Sequence, residues 1–518
     1  MSFKVGMILS LLASFLIPAL PIQAATGNIT SNLQVTIDMN YLNNGYVEAF
    51  GVMSGDVLRE DGSQGSYNVP VTLFYPNDTT VCNGFGILDI LNSVFYETFG
   101  FVGTTSDPNL FPLGRMFLGD EFIRNQGYVY ATTQWNKLVL DRQREAGTLP
   151  NDDFNIERGT DGYLILRDLS RVLRHPSEFI TGTAPTVCAT SNEMAYGYSQ
   201  TGMMLRQFYF SGFNTGLANS PDFDENKVFE GSIQAVPGSH CRYMTNEYPF
   251  YTYSFMNCGG ETPKKQGKVI TINTETDVQL INGWKARPHR NTDTNYYRVY
   301  EIAGTAHIPG SLFPLKLVEL RPPEQADQNF ADTGPVFRAM VEHLKNWILG
   351  TEEPPASVYL DGKVDQLQEP FFSDSSWGSN NNLVWLTKLG DDGNALGGIR
   401  LPHIRTILPN GEQAGGPIGI FRGTHCNNLP VQNDFILDCQ LYGDGNIYNM
   451  VGGTVTTYKD LDSPLCETYY TDASSYHAAV ESAAVFAASE GWILAEDIDS
   501  IVHGLEQTAA DVYTGCVP

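Results

Sequence analysis

Six short, nearly continuous apolar runs, at 86–91, 128–133, 193–198, 228–235, 269–273 and 298–303, constrain this chain more than any other feature. Side chains alternate across a strand, so a run that is apolar at successive positions must be covered on both faces. Between the runs lie helical patterns around 116–125, 162–173, 200–210 and 336–349. Buried strands alternating with helices predict an α/β fold with a mostly parallel central sheet and helices on both faces. Upstream, Leu33-Gln34-Val35-Thr36-Ile37 and Val69-Pro70-Val71-Thr72-Leu73-Phe74 alternate apolar and polar, which predicts antiparallel N-terminal strands.

The first residues, Met1-Ser2-Phe3-Lys4, precede an apolar stretch from Val5 to Leu20 and the small residues Ala24 and Ala25. That is the pattern of a secretory signal, and the stretch falls short of the roughly twenty residues of a membrane span. Cleavage near Ala24 is expected, giving a secreted or periplasmic protein with no membrane span in its mature chain. Eight cysteines, Cys82, Cys188, Cys241, Cys258, Cys426, Cys439, Cys466 and Cys516, suit an oxidising compartment and disulfide pairing. Nearness in sequence favours Cys241–Cys258 and Cys426–Cys439, which leaves Cys82–Cys188 and Cys466–Cys516. A formal charge of −27 argues against a nucleic-acid partner.

Thr351-Glu352-Glu353-Pro354-Pro355 closes the last helical pattern of this region and marks a boundary. The signal thus occupies 1–24 and the α/β core 25–355. The stretch 356–518 is a C-terminal extension, rich in Gly and Asn to Asn449 and helical again at 474–489 and 496–512. Asp391-Asp392-Gly393-Asn394 and Asp444-Gly445-Asn446 fall short of a complete calcium loop, and no metal or cofactor is expected.

The run 193–198 leads through Gly197-Tyr198-Ser199-Gln200-Thr201-Gly202 into a helical pattern. Strand, sharp turn and helix together form the setting in which a serine hydroxyl stands exposed at the carboxyl edge of a sheet. Thr201 occupies the position where glycine is more usual. Two later runs also end in chemistry: 269–273 in Thr274-Glu275-Thr276-Asp277, and 298–303 in Gly304-Thr305-Ala306-His307. In a parallel sheet these ends share one edge. The order Ser199, Asp277, His307 is that of an α/β-hydrolase triad. Glu275 is chemically equivalent to Asp277, which is favoured as lying deeper in the loop; His240 and His425 are the rivals of His307.

These stretches, with 84–92 and Gly393-Asn394-Ala395-Leu396-Gly397-Gly398-Ile399-Arg400-Leu401-Pro402, resemble the α/β-hydrolase superfamily, and within it the alpha/beta hydrolase domain-containing proteins. There the Gly-x-Ser-Gln-(Ser/Thr)-Gly elbow is usual. The resemblance implies an α/β-hydrolase fold with the extension packed on the same unit. It supplies no substrate; the placement and order of Ser199, Asp277 and His307 as catalytic residues make a serine esterase the first reading. Its oxyanion hole would combine the amide of Gln200 with Asn92 or Ser93. The segment closed by Cys241 and Cys258, near 240–265, is the expected cap loop. Tyr243, Tyr248, Phe250, Tyr251 and Tyr253 would line its substrate pocket for a small-molecule or polymer ester. A peptidase or acyltransferase on the same residues, or a non-catalytic binding protein of this fold, are the alternatives.

Overall fold

The computed structural model describes residues 29–59, 61–92, 113–147, 149, 151–182, 185–210, 212–215, 227–241, 256–257, 267–307, 331–366, 383–388, 395–404, 435–436 and 473–512. Residues 1–24, expected as a signal, Ser93, the aromatic positions 243–253, the stretches 391–394 and 444–446, and Cys258, His425, Cys426, Cys439, Cys466 and Cys516 lie outside them.

Three strands open the described chain: β1 (Ile29–Asn43), β2 (Tyr46–Leu58) and β3 (Gln64–Pro76), joined as an antiparallel meander. The β1–β2 turn is Asn44-Gly45 with φ of 48° and 81°, the left-handed pair that a two-residue hairpin requires. Then come β4 (Phe85–Ile90), β5 (Val129–Thr133), β6 (Asn155–Ile156), β7 (Ile180–Gly182), β8 (Asn192–Tyr198), β9 (Gly231–Ala235), β10 (His240–Cys241), β11 (Met256–Asn257), β12 (Lys268–Thr274) and β13 (Tyr297–Ile302). Eleven of these form one sheet in the order β13-β12-β9-β8-β4-β5-β3-β2-β1-β7, with β6 on β3. The pairs from β5 to β13 are parallel, whereas β3 joins β5 antiparallel.

The helices are α1 (Leu113–Leu118), α2 (Asp120–Gln126), α3 (Lys137–Glu145), α4 (Asp161–Arg174), α5 (Pro176–Phe179), α6 (Gln200–Phe210), α7 (Glu275–Leu280), α8 (Gly334–Leu349), α9 (Ala473–Ser489) and α10 (Ile498–Val512). Successive strand residues feed opposite layers. Ile87, Met194, Ile270 and Tyr300 pack with Phe117 of α1, Phe337 and Leu344 of α8 and Val480 of α9. Their neighbours Leu88, Ala195, Val269 and Val299 pack with Leu164 of α4 and Phe208 of α6. The unbroken apolar runs follow from this double cover.

Two boundaries depart from the sequence pattern. The helix expected over 116–125 is divided, because Gly119 with φ 80° separates α1 from α2. The run at 228–235 enters the sheet only at Gly231. Before that, the amide of Phe229 donates to Asn214 Oδ1 at 2.9 Å and Asn214 Nδ2 donates back to the Phe229 carbonyl at 3.0 Å. A side chain fifteen positions upstream has taken those backbone groups.

Cys82 is bonded to Cys188, across a separation of 106 residues, joining the approaches to the adjacent strands β4 and β8. Closing a loop of that size lowers the entropy of the unfolded chain by about 4–5 kcal/mol in the chain-entropy treatment. Cys241 is also disulfide-bonded.

At the other sheet edge, β13 is covered by two segments from beyond Pro355. The amide of Glu301 donates to Val358 O at 3.1 Å, and Ala303 and Ile399 add bonds of 2.9 and 2.7 Å. Arg287 fixes this seam by a bidentate pair with buried Glu301, both contacts 2.7 Å, while its guanidinium lies over Trp385. A small antiparallel sheet, β14 (Gly362–Gln366), β15 (Leu383–Lys388) and β16 (Phe435–Ile436), stands beyond it. Among the described residues, no helix is long and apolar enough to cross a membrane.

Candidate active site

From β4 the chain proceeds to β5 on one side, and later strands build away on the other through β8, β9, β12 and β13. The carboxyl ends of β4 and β8 therefore flank the point where the winding reverses, the usual place for a ligand crevice in such sheets. Ser199 follows β8 there, and Asn92 follows β4.

Ser199 has φ 56°, a left-handed conformation that costs a non-glycine residue about 1–3 kcal/mol. Its neighbours hold it there. The Ser199 amide donates to Ala235 O at 2.8 Å, and its carbonyl accepts from Met203 N at 2.9 Å. Space for the turn comes from two glycines: a Cβ on Gly197 would meet Thr201 O at 2.5 Å, and one on Gly202 would meet Ala235 O at 2.7 Å. Thr201 does what no glycine can. Its hydroxyl accepts from Tyr198 N at 2.9 Å and donates to Tyr198 O at 3.0 Å, pinning the residue before the serine.

Asp277 lies in the first turn of α7 rather than in the loop that the sequence suggests. One carboxylate serves two tasks. Oδ2 accepts from Thr274 N at 2.8 Å and from Thr274 Oγ1 at 2.6 Å, completing a capping box, while Oδ1 is hydrogen-bonded to Nδ1 of His307. On the far side of the ring, Nε2 of His307 lies 2.8 Å from Ser199 Oγ. With the imidazole proton donated from Nδ1 to the carboxylate, Nε2 is left as an acceptor for the serine hydroxyl. Asp277 and His307 are both buried and Ser199 is half-buried, so the line of three opens toward solvent at its serine end.

Glu275 takes a different place. It is fully buried, its Oε2 accepts from Gly304 N at 2.7 Å and its Oε1 from Gln279 Nε2 at 3.1 Å. It anchors the turn leading to His307 without touching the imidazole through any of these bonds. Gln200 opens α6 next to Ser199, with its backbone at the amino end of that helix. Asn92 is buried, and its side-chain amide donates to Tyr198 O at 2.8 Å, so the end of β4 is tied to the serine turn.

Three features escaped the sequence reading: the Thr201 clamp, the Glu275 anchor, and the hydroxyl of Tyr198, which donates to the carbonyl of His307. Asp89, near the carboxyl end of β4, is a fourth. Burial pushes its carboxyl up to about 7, against bonds from Tyr130 and the amides of Gly114 and Arg115 that favour its charged form. Among the described residues, no group of three or more His, Cys, Asp or Glu side chains is arranged to hold a metal ion.

A family model described as an alpha/beta hydrolase domain matches residues 118–503. Among solved structures, the chain is similar to a ferulic acid esterase from Streptomyces cinnamoneus at 14% identity, covering 62% of this chain and 89% of that one, with a TM-score of 0.29. It is similar to a glucuronoyl esterase from Teredinibacter turnerae at 11% identity, over 50% of this chain and 66% of that one, with a TM-score of 0.27. A rice cell wall degrading esterase from Xanthomonas oryzae shares 12% identity, over 39% of this chain and 50% of that one, with a TM-score of 0.21. The chain thus spans half the length of that last protein. No curated protein matches it significantly. Likeness at these identities and scores assigns no substrate.

Proposed function

Since the chain belongs to the alpha/beta hydrolase domain family, we propose that it is an exported serine hydrolase that cleaves carboxylic esters through an acyl-enzyme on Ser199. The observation that carries this reading is the hydrogen-bonded line from Ser199 Oγ, 2.8 Å from His307 Nε2, through His307 Nδ1 to Asp277 Oδ1. The disulfide between Cys82 and Cys188 supports passage through an oxidising compartment.

In the reaction, Ser199 Oγ bonds to the ester carbonyl carbon as its proton passes to His307 Nε2. Asp277 holds the ring in the required tautomer and stabilises its cationic form. Negative charge gathers on the former carbonyl oxygen, which takes the amide of Gln200 as one donor and a group from the stretch after β4, at Asn92 or Ser93, as the second. Each such donor is worth about 3 kcal/mol of barrier. Collapse breaks the bond to the alcohol, which leaves with the proton from His307. Water then attacks the acyl-serine with the same imidazole as base, releasing the acid and restoring the hydroxyl. A chain of formal charge −27 repels anionic substrates at long range, so neutral esters are the preferred class.

The decisive experiment uses p-nitrophenyl esters and a fluorophosphonate probe. Ser199→Ala should stay folded, show no turnover above a mock purification and take no label; retained hydrolysis rejects the reading. Amide substrates and alcohol acceptors, offered to the unaltered protein, separate an esterase from a peptidase or an acyltransferase.

A further inference from the structure

Tyr198 touches both halves of the serine–histidine pair. Its peptide carries Ser199, and that peptide is fixed by Thr201, with bonds of 2.9 and 3.0 Å, and by Asn92 at 2.8 Å. Its ring is stacked on Phe117, centroids 4.4 Å apart, and meets the edge of Phe337 at 6.0 Å. From this wedged position its hydroxyl donates to the backbone carbonyl of His307. The histidine turn has its own anchors further back: Gly304 N on Glu275 at 2.7 Å, and Thr305 Oγ1 on Ile302 O at 2.8 Å. The bond from Tyr198 acts on His307 itself.

We infer that Tyr198 is a positioning residue that sets the separation between the Ser199 hydroxyl and the His307 ring, an inference that rests on the serine-hydrolase reading above. One rigid side chain spans the two backbones, so the serine turn and the histidine turn cannot drift independently. The leverage is large, because misplacing a reacting group by about 1 Å costs roughly 100-fold in rate. Burial holds the Tyr198 hydroxyl far above its ordinary pKa, so it remains a donor across the working range of pH.

Tyr196 supplies the comparison. It lies two residues earlier on the same face of β8, is equally buried and also packs on Phe337, but among the described residues its hydroxyl has no hydrogen-bond partner. Tyr198→Phe and Tyr196→Phe each remove one buried oxygen and keep the ring.

The test measures kcat and KM for p-nitrophenyl acetate on both tyrosine variants, with rates divided by the active sites that a fluorophosphonate titrates, and the rate per mole of folded protein for Ser199→Ala. Tyr198→Phe should lose about 10-fold or more in kcat per site, with KM within about twofold, while Tyr196→Phe keeps the unaltered kcat. Unchanged kcat per site in Tyr198→Phe, with only a lower melting temperature, overturns the inference. Equal losses in the two variants overturn it as well, since they would mark a packing effect. Activity surviving in Ser199→Ala instead brings down the serine-hydrolase reading, and this inference with it.

Discussion

The two ends of β8 bury polar groups in opposite ways. At the carboxyl end, the strained Ser199 faces an imidazole, and the Asp277 carboxylate has both oxygens bonded, one to His307 and the other to Thr274. At the amino end, Glu193 is equally buried but poorly compensated. Thr190 donates to it at 2.9 Å, while Arg174 stands 3.7 Å away and reaches Glu230 at 2.8 Å instead. Burial pushes Glu193 up to about 8, with Arg174 opposing. A perturbed acid is therefore not by itself a reactive centre. What sets the carboxyl end apart is convergence: a hydroxyl, a ring and a carboxylate on three different segments, aligned along one line of hydrogen bonds.

That contrast can be broken most severely at Asp277. Asp277→Asn should lower kcat by about 10⁴-fold, because an amide cannot hold the required imidazole tautomer. It should also cost about 1 kcal/mol of stability through the capping box, read from urea unfolding. Gly202→Ala comes next. The new methyl would press on Ala235 O, the same oxygen that receives the Ser199 amide, so a kcat loss of about 100-fold is expected in steady-state assays. Glu275→Gln keeps an acceptor for Gly304 N and should cost kcat about tenfold at most. If its loss exceeded that of Asp277→Asn, the assignment of the two carboxylates would have to be exchanged.

The smallest effect on rate belongs to the amino end. Glu193→Gln should leave kcat unchanged but alter how stability depends on pH. Between about pH 4.5 and 8 the folded protein keeps a proton on Glu193 that the unfolded chain has released, so the unaltered protein loses stability as pH rises through this window. The variant should lack that loss, and its unfolding midpoint in urea should gain on the unaltered protein from pH 5 to pH 8. Parallel curves would show that Arg174 keeps the carboxylate charged throughout.

Strand positions were legible because a doubly covered sheet writes itself as short apolar runs, and the ends of β8, β12 and β13 carried Ser199, Asp277 and His307 in plain view. Choosing between Glu275 and Asp277 was not possible from residue type. Positions two apart on a helix differ by about 200° around its axis, and only the geometry of α7 shows which of the two faces the ring. Thr201 read as a departure because its contribution is a pair of hydrogen bonds to a backbone three residues away. The resemblance implied an extension packed on the same unit, but the cover on β13 left little trace in the periodicity of the sequence. Val358 and Ile399 meet it through isolated bridges, which impose no repeating pattern.

That cover has a practical corollary for anyone shortening the gene. Stopping the polypeptide near Pro355 would strip the outermost rung from the ladder beside the histidine turn and leave the amides of Glu301 and Ala303 bare. A naked rim of this kind recruits whatever strand it meets. Trimmed versions would then clump through edge pairing before their chemistry could be assayed.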